Sequence, residues 1–548
     1  MDCLHAVEKA VESRGLYAAG FIAYEAAPGF DPCFAAHPGG TRFPLLWFGL
    51  FESPLPVTLP AASETPVAPD TPWVSSITPE EYAHAFERIK RRIHEGDTYQ
   101  VNLTYRLRHA FADDPWPFFL RLEAAQKADY GAFITTRDWS ICSASPELFF
   151  SLDGTRLKSR PMKGTAPRGL TPAQDHQNAA ALLASEKERA ENLMIVDMVR
   201  NDLGRVAVIG SVEVPSLCAL EKYPTVWQLT STVSAETHAS VSEIFQALFP
   251  PASITGAPKS STTALIAETE TAPRNIYTGT IGFIAPGRRA QFNVAIRTLL
   301  VDRARNEAEY GVGGGIVWDS VCSTEQSECR TKACILRADV PPFRLLESLL
   351  WEPTAGYALL DKHLARLSGS ADYFDFLLDH AEIVRQMNAL GPTLPPEPHK
   401  IRLLLARDGT IRLEAEPIII PAPNAAPLNV ARARQPINRK DVFLYHKTTN
   451  RRVYADAEAS RPGFDDVILF NAEGEVTESS RANIVVEIDG DLYTPPVECG
   501  LLPGTFRAHA LETGAVTERV IPLDRLFDSP RVFLINSVRG WRRISVTE

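Results

Sequence analysis

The sequence predicts a mixed α/β chain in two parts, on three observations. Its 548 residues suffice for two to four structural units at roughly 100–200 residues each. Short apolar runs bounded by turn residues alternate with stretches of helical spacing, as expected when sheets and helices share a core. A Pro-Pro step at 341–342 follows the helical run SECRTKACILRA, and strand, helix and strand patterns restart beyond it. The junction is therefore placed there, with a first domain over 1–337 and a second over 343–548.

The elements follow in order. MDCLHAVEKAVESRG has the spacing of an amphipathic helix, with charges throughout and no apolar core of a signal peptide. GLYAAGFIAYEA and FPLLWFGLFE, within 16–50, read as strands. Residues 53–78, rich in Pro, Ala, Ser and Thr, read as a surface loop. TPEEYAHAFERIKRRIHEGD (78–97) opens on a capping signal and ends at Gly96, which predicts a helix. YQVNLTYRLRHAF alternates like a strand, and SICSASPELFFSLDGTRLKSR like a hairpin turning at Asp153-Gly154. One helix is expected over 171–200. In the second part PPEPHK (395–400) and PAPNAAP (421–427) are expected as loops, and Ile488-Asp489-Gly490 as a hairpin turn.

Composition removes several function classes. The net charge is −11, and no run of like charges suggests a nucleic-acid arm. An anionic substrate would need local positive groups rather than a global field. No apolar stretch approaches the roughly 20 residues that span a bilayer. The eight cysteines have neither CxxC nor zinc spacing, so they read as reduced thiols of a soluble cytoplasmic protein.

Four stretches of the first part carry charged or glycine-rich groups. SASPELFF and RPMKGTAPRG hold Glu147 in the hairpin and Lys163 in the Gly/Pro-punctuated loop after it. SEKERAENLMIVDMVRNDLG places Glu188 and Glu191 on one helical face, where paired carboxylates are ordinarily solvated. PASITGAPKSSTTALI reads as a turn opening a helix, whose amides and Lys259 could receive an anion. YGVGGGIVWDSVCSTEQSECRTKA combines Gly313, Gly314 and Gly315 with Glu325 and Glu328. A lone GGG is usually a turn, although it also lets backbone approach an anion closely.

Together and in this order, these stretches resemble the chorismate-utilising enzymes over most of 80–335, and within them component I of aminodeoxychorismate synthase. The cues are YQVNLT, SPELF, RPMKGT, ENLMIVDMVRNDLG, SITGAPK, FNVAIRTL and GGGIV. The resemblance implies an antiparallel-sheet sandwich around a chorismate site. It implies one Mg²⁺ between the glutamate pairs, with Glu191 and Glu328 as direct ligands and Glu188 and Glu325 close behind. Tyr277, Arg297 and the Gly313–Gly315 amides would hold the enolpyruvyl carboxylate, with Thr255, Gly256 and Lys259 lining the same pocket. Related anthranilate and isochorismate synthases carry alanine where Lys163 stands. By resemblance Lys163 is the nucleophile that attacks chorismate C2, and Glu147 the general acid for loss of the C4 hydroxyl. The free amine costs roughly 4.6 kcal/mol at pH 7 for a lysine of ordinary pKa, unless burial or a nearby cation lowers it. Gln228 stands where many relatives carry histidine, which speaks against a histidine-assisted expulsion of pyruvate in this domain. No cysteine has the G-x-C-x-G setting of a glutaminase, so a separate glutamine amidotransferase, or free ammonia, is the expected nitrogen source. Relatives carry more sequence ahead of the first strands, so an amino-acid regulatory site built there is expected to be incomplete.

The second part resembles fold-type IV pyridoxal-phosphate enzymes over about 343–548. That class includes aminodeoxychorismate lyase and the branched-chain and D-amino-acid aminotransferases. The carriers are LLDKHLARL with His363 and Arg366, YHKTTNRRVYADA with Lys447, VTESSRANIVVEIDG with Glu478, LLPGTFR, and INSVRGW. The resemblance implies a two-lobed domain holding pyridoxal 5′-phosphate. Lys447 would be the Schiff-base lysine, Glu478 the partner of the pyridine nitrogen, and Arg366, Gly504, Thr505 and Ser537 the phosphate site. Phe506 departs from the usual pattern and removes a hydroxyl there. The domain lacks part of the usual N-terminal segment, so the first half or another subunit is expected to complete its edge, and a homodimer through this domain is expected. Adjacency of the two parts implies consecutive steps, chorismate to 4-amino-4-deoxychorismate to 4-aminobenzoate, for folate synthesis. The alternatives are an amino-acid aminotransferase or a non-catalytic docking module as second domain, or an anthranilate synthase as first.

Overall fold

A computed structural model describes residues 1–37, 42–60, 72–337, 342–422 and 425–547. Parts of the expected 53–78 and 421–427 loops, and residues 338–341 of the expected junction, lie outside the described residues. The chain forms two compact units, Met1–Arg168 with Asn178–Val340, and Gly169–Gln177 with Pro341–Glu548. The sequence assigned Gly169–Gln177 to the first domain. Its membership of the second has a local cause: Leu170 packs into the cluster around Tyr445 and Tyr454, and the Tyr373 hydroxyl donates to Gly169 O at 2.8 Å.

In the first unit, antiparallel strands build a nine-stranded and a seven-stranded sheet. Phe21 and Ile281 of the larger sheet meet Ile141 and Leu300 of the smaller across a shared apolar cluster, so the two pack as a sandwich. Helices cover the outer faces. The Pro79–His94 helix starts on a capping box made by Thr78 and Glu81, and buries Tyr82, Phe86 and Ile89 against Val101 and Leu103. The helix expected over 171–200 is two helices, Pro172–Ala184 and Glu186–Gly204. The break falls at Ser185, whose side chain accepts from Glu188 N and caps the second helix.

Two more strands differ from expectation. RPMKGTAPRG is not a loop: Met162–Pro167 pairs antiparallel with Val226–Glu236. Pairing with a distant strand overrides the local Gly/Pro signal, and Gly164, at φ 96°, sits where the register shifts. The glycine run is likewise no turn but part of the Glu307–Ile316 strand. Glu307–Tyr310 have neighbours on both sides, whereas Gly311–Ile316 pair only with Val101–Arg106 among the described residues.

The second unit has two lobes. A four-stranded antiparallel sheet, covered by the Leu360–Phe374 and His380–Leu390 helices, forms one. Its His399–Leu405 strand takes in the last two residues of the expected PPEPHK loop. A mixed eight-stranded sheet forms the other, and its Val476–Ser479 strand pairs with both Asp466–Phe470 and Asn483–Ile488. The expected turn at Asp489-Gly490 is present, both residues at positive φ.

Candidate functional sites

The first unit holds a cavity of about 180 Å³. Lys163 and Glu147 line it, as do both glutamate pairs. Lys163 is pinned at its backbone: buried Asn192 donates to its carbonyl at 3.0 Å, and Gln228 donates to the next carbonyl, Gly164 O, at 2.8 Å. Gln228 thus braces the lysine strand, a role its sequence position did not disclose. The Lys163 ammonium lies 3.5 Å from Glu191 Oε2. A Cβ on Gly315 would stand 2.5 Å from Lys163 Nζ, and one on Gly311 2.1 Å from the Tyr277 ring. Residues two apart on a strand share a face, so this glycine-rich strand opens room for both side chains.

Glu147 is buried and accepts from the Ser253 hydroxyl at 2.6 Å. Burial pushes its carboxyl up to about 7, against the hydrogen bonds of Ser253 and Met162 and the charge of Lys163. Glu188 and Glu191 face the cavity from the Glu186–Gly204 helix, and Glu325 and Glu328 from the Cys322–Ala333 helix. Burial, then the neighbouring Glu191, raises Glu188. Burial and Glu328 raise Glu325, against a hydrogen bond from Ser320. For Glu328, burial is outweighed by Lys332, 2.7 Å away, and its carboxyl lies below the usual range.

Tyr277, Arg297, Gly313 and Gly315 line the cavity as expected. Arg297 is held at φ 52°, a left-handed conformation that costs a non-glycine residue roughly 1–2 kcal/mol. Its guanidinium donates to Lys332 O at 2.6 Å. Four expectations are corrected. Lys259 does not line the cavity: its ammonium is buried against Asp202 at 2.6 Å and Leu248 O at 2.7 Å. Thr255 turns inward to Pro251 O, and Gly256 packs its Cα against Gln100 O, so Ser253 and Ile254 of the same stretch line the cavity instead. Gly314 faces away, leaving space for the Glu325 carboxylate, 2.9 Å from where its Cβ would be. Sequence reasoning missed Lys332, although its place four residues after Glu328 on one helix was a usable signal. It also missed buried Arg274, which ties down the lining residues Ile254 and Asn102 through their carbonyls at 3.0 and 2.7 Å.

Among the described residues no three His, Cys, Asp or Glu side chains stand close enough to hold a metal ion. The donors still suit Mg²⁺, which takes one or two carboxylates and completes its shell with water and substrate. Four glutamates face one cavity, and two are raised partly by a like-charged neighbour, a repulsion that a divalent cation would relieve.

The second unit has its own cavity of about 320 Å³. Lys447, Glu478, Arg366, Gly504, Thr505 and Ser537 all line it. Burial and the charge of Arg366 lower Lys447 to about 8. Glu478 is fixed by Tyr454 Oη at 2.7 Å, Leu502 N at 3.1 Å and Asn483 Nδ2 at 3.2 Å, and burial pushes it up to about 7. Gly504 caps the Thr505–Glu512 helix, and any Cβ there would strike Asn483 Oδ1. The first amides of this helix, with the Thr505 and Ser537 hydroxyls, form a cradle suited to a phosphate. Arg366 reaches the cavity in a different state from the one expected. Glu347 grips its guanidinium at 2.9 and 2.7 Å, and a further N–H goes to Pro503 O, so three of its five donors are engaged. His363 does not line the cavity; it bridges Glu347 at 2.6 Å and the Thr505 hydroxyl at 3.2 Å. Burial would raise Glu347, but Arg366 and His363 hold it down to about 2. A lysine lowered to about 8, a carboxyl for a ring nitrogen and an anion cradle make a donor set that fits pyridoxal phosphate.

Comparison with known proteins bears on both units. The family profile described as chorismate binding enzyme matches residues 2–338, and that of class IV amino-transferases matches 344–546. Aminodeoxychorismate synthase component 1 of Salmonella typhimurium is 41% identical over 270 residues, 49% of this chain and 59% of the relative. The protein of that name from Escherichia coli K12 is 42% identical over 260 residues, 47% and 56%. The chain thus spans little more than half the length of these curated relatives. Anthranilate synthase component I of Streptococcus pneumoniae superposes with a TM-score of 0.52 at 26% identity, over 59% of this chain and 81% of that one.

Proposed function

This chain belongs to the chorismate-binding enzyme family and carries a class IV aminotransferase domain behind it, and from that premise we propose that it makes 4-aminobenzoate in two steps. The reading rests above all on Lys163, whose amine lies in one cavity with buried Glu147 and both glutamate pairs. In the first step the Lys163 amine attacks C2 of chorismate, both ring double bonds shift by one position, and the C4 hydroxyl leaves as water with the Glu147 proton. Ammonia then adds at C4 and the Lys163 amine leaves from C2, giving 4-amino-4-deoxychorismate. Glu188, Glu191, Glu325 and Glu328 would hold Mg²⁺, which supplies charge neutralisation for the ring carboxylate. Arg297 and the open backbone edge at Gly313 and Gly315 bind the enolpyruvyl carboxylate. The nitrogen comes from a separate glutamine amidotransferase.

In the second unit, pyridoxal phosphate would be held by Lys447, Glu478, Gly504, Thr505 and Ser537, and it supplies an electron sink for the carbon bearing the amine. Lys447, at about pKa 8, is basic enough to move the C4 proton. Loss of pyruvate then leaves the aromatic 4-aminobenzoate. Purified protein with chorismate, Mg²⁺, pyridoxal phosphate and ammonium, followed by chromatography, tests both steps. 4-Aminobenzoate and pyruvate are expected from wild type and neither from Lys163→Ala. Accumulated aminodeoxychorismate would sink the lyase step, and anthranilate would sink the first.

A further inference from the structure

In a chain of net charge −11, seven cationic side chains line the second cavity against one carboxylate, Glu478. Most of those cations are already matched. Lys400 and Arg402, two apart on the His399–Leu405 strand, face Glu416 and Glu414 directly across the next strand, at 3.4 and 2.9 Å. Arg366 is gripped by Glu347, and Arg481 pairs with Glu458 at 3.3 Å. Lys447 is the half-buried amine proposed to carry the cofactor. Arg451 donates to Ser480 O and lies over the Tyr454 ring. Arg539 alone among these lining cations has a guanidinium with no hydrogen bond, ion pair or ring contact among the described residues.

Its backbone is nevertheless fixed. Asn536 Oδ1 accepts from both Val538 N, at 3.1 Å, and Arg539 N, at 2.8 Å, and Gly540 closes the turn at φ 62°. The same turn carries Ser537, whose hydroxyl is anchored on Ser348 O. One rigid turn therefore presents a phosphate-side hydroxyl and, two residues on, an unmatched cation. Glu478 and Thr505 are buried and Lys447 half-buried in this lining, whereas Arg539 is exposed.

We propose that Arg539 is a specificity-determining residue that binds a second carboxylate, so that the second site selects dianionic over monoanionic substrates. The proposal rests on the reading of this domain as a pyridoxal-phosphate site. A planar guanidinium offers paired donors that match a carboxylate, and a fixed turn lowers the ordering cost of using them.

The test uses the pyridoxal-phosphate-loaded full chain and two probes with the same ring, isophthalate with two carboxylates and benzoate with one. Binding is read by calorimetry and by the shift in cofactor absorbance. Wild type should bind isophthalate about tenfold more tightly than benzoate. Arg539→Gln should erase that preference, Arg539→Lys should keep part of it, and titration with pyridoxal phosphate should be unchanged in both. No preference in wild type, or a preference retained in Arg539→Gln, overturns the proposal. So does weakened cofactor binding, which would assign Arg539 to the phosphate. Should wild type show the preference yet make no 4-aminobenzoate from aminodeoxychorismate, the lyase reading fails and Arg539 keeps its role.

Discussion

At the scale of the residue, the proposed function divides the work of the first site between Lys163 and Glu147. Lys163→Ala should cost amination on the order of 10⁴-fold or more, as removal of a nucleophile does, with the folded unit retained. Glu147→Gln should cost about 10²–10⁴-fold, the usual worth of a general acid. Glu147 gives the first site a pH dependence whose sign is fixed. A carboxyl raised to about 7 is protonated, hence able to donate, only below that pH. At fixed free ammonia, the acid-dependent part of the rate should fall as pH rises through 7, and Glu147→Gln should lose that limb. Stability follows the same direction. The folded pKa lies above the unfolded one, so the contribution is full below about 4.5 and is lost as pH rises through 7. Thermal midpoints of the apo-protein, wild type against Glu147→Gln, should converge at acid pH and favour the variant above 7. Parallel profiles would refute the assignment.

At the scale of the element, the Glu307–Ile316 strand is shaped by what its glycines omit. Gly311→Ala would drive a methyl into the Tyr277 ring, which is buried and cannot withdraw. Overpacking of that kind costs about 1–3 kcal/mol, read as a lower denaturation midpoint. Gly315→Ala meets the flexible end of Lys163, so the fold should survive while amination falls on the scale of Lys163→Ala. Equal destabilisation by both would refute the distinction. This strand also marks the limit of sequence reading. The motifs carrying Lys163, Glu147 and the glutamates were legible because residue type and order carry chemistry. The strand conformation of Met162–Pro167 was not, since it is imposed by the Val226–Glu236 strand some 60 residues away. Lys259 showed the same blindness in reverse: a lysine at a helix start looks like an anion ligand until Asp202, from another helix, takes its charge. Ser185 caps the second of the two helices, but helical periodicity on both sides concealed the break.

At the scale of the whole molecule, each unit has its own cavity, so the two activities should separate by mutation. Lys447→Ala should accumulate aminodeoxychorismate from chorismate at an amination rate within about twofold of wild type, since the two sites share no lining residue and independent sites rarely couple. Lys163→Ala, given aminodeoxychorismate, should form 4-aminobenzoate at the wild-type rate. Loss of both reactions in either variant, with folding intact, would contradict the division. The division itself was readable from the Pro-Pro step and the restarted pattern. The exchange of Gly169–Gln177 was not, because it depends on where Tyr373 and Leu170 find partners.

The contrast between the two linings has a consequence for conditions rather than for mutants. In the first cavity five carboxylates offset four cations, whereas in the second Lys447, Arg451 and Arg539 face Glu478 alone once the other cations are paired with carboxylates outside the lining. Mobile ions screen an unbalanced field far more than a balanced one, with a Debye length of about 10 Å at 0.1 M and 3 Å at 1 M. Added potassium chloride should therefore slow capture by the second site more steeply than turnover at the first. Ionic strength alone would then act as a throttle between the two reactions, letting the intermediate build up in unmodified protein as salt rises.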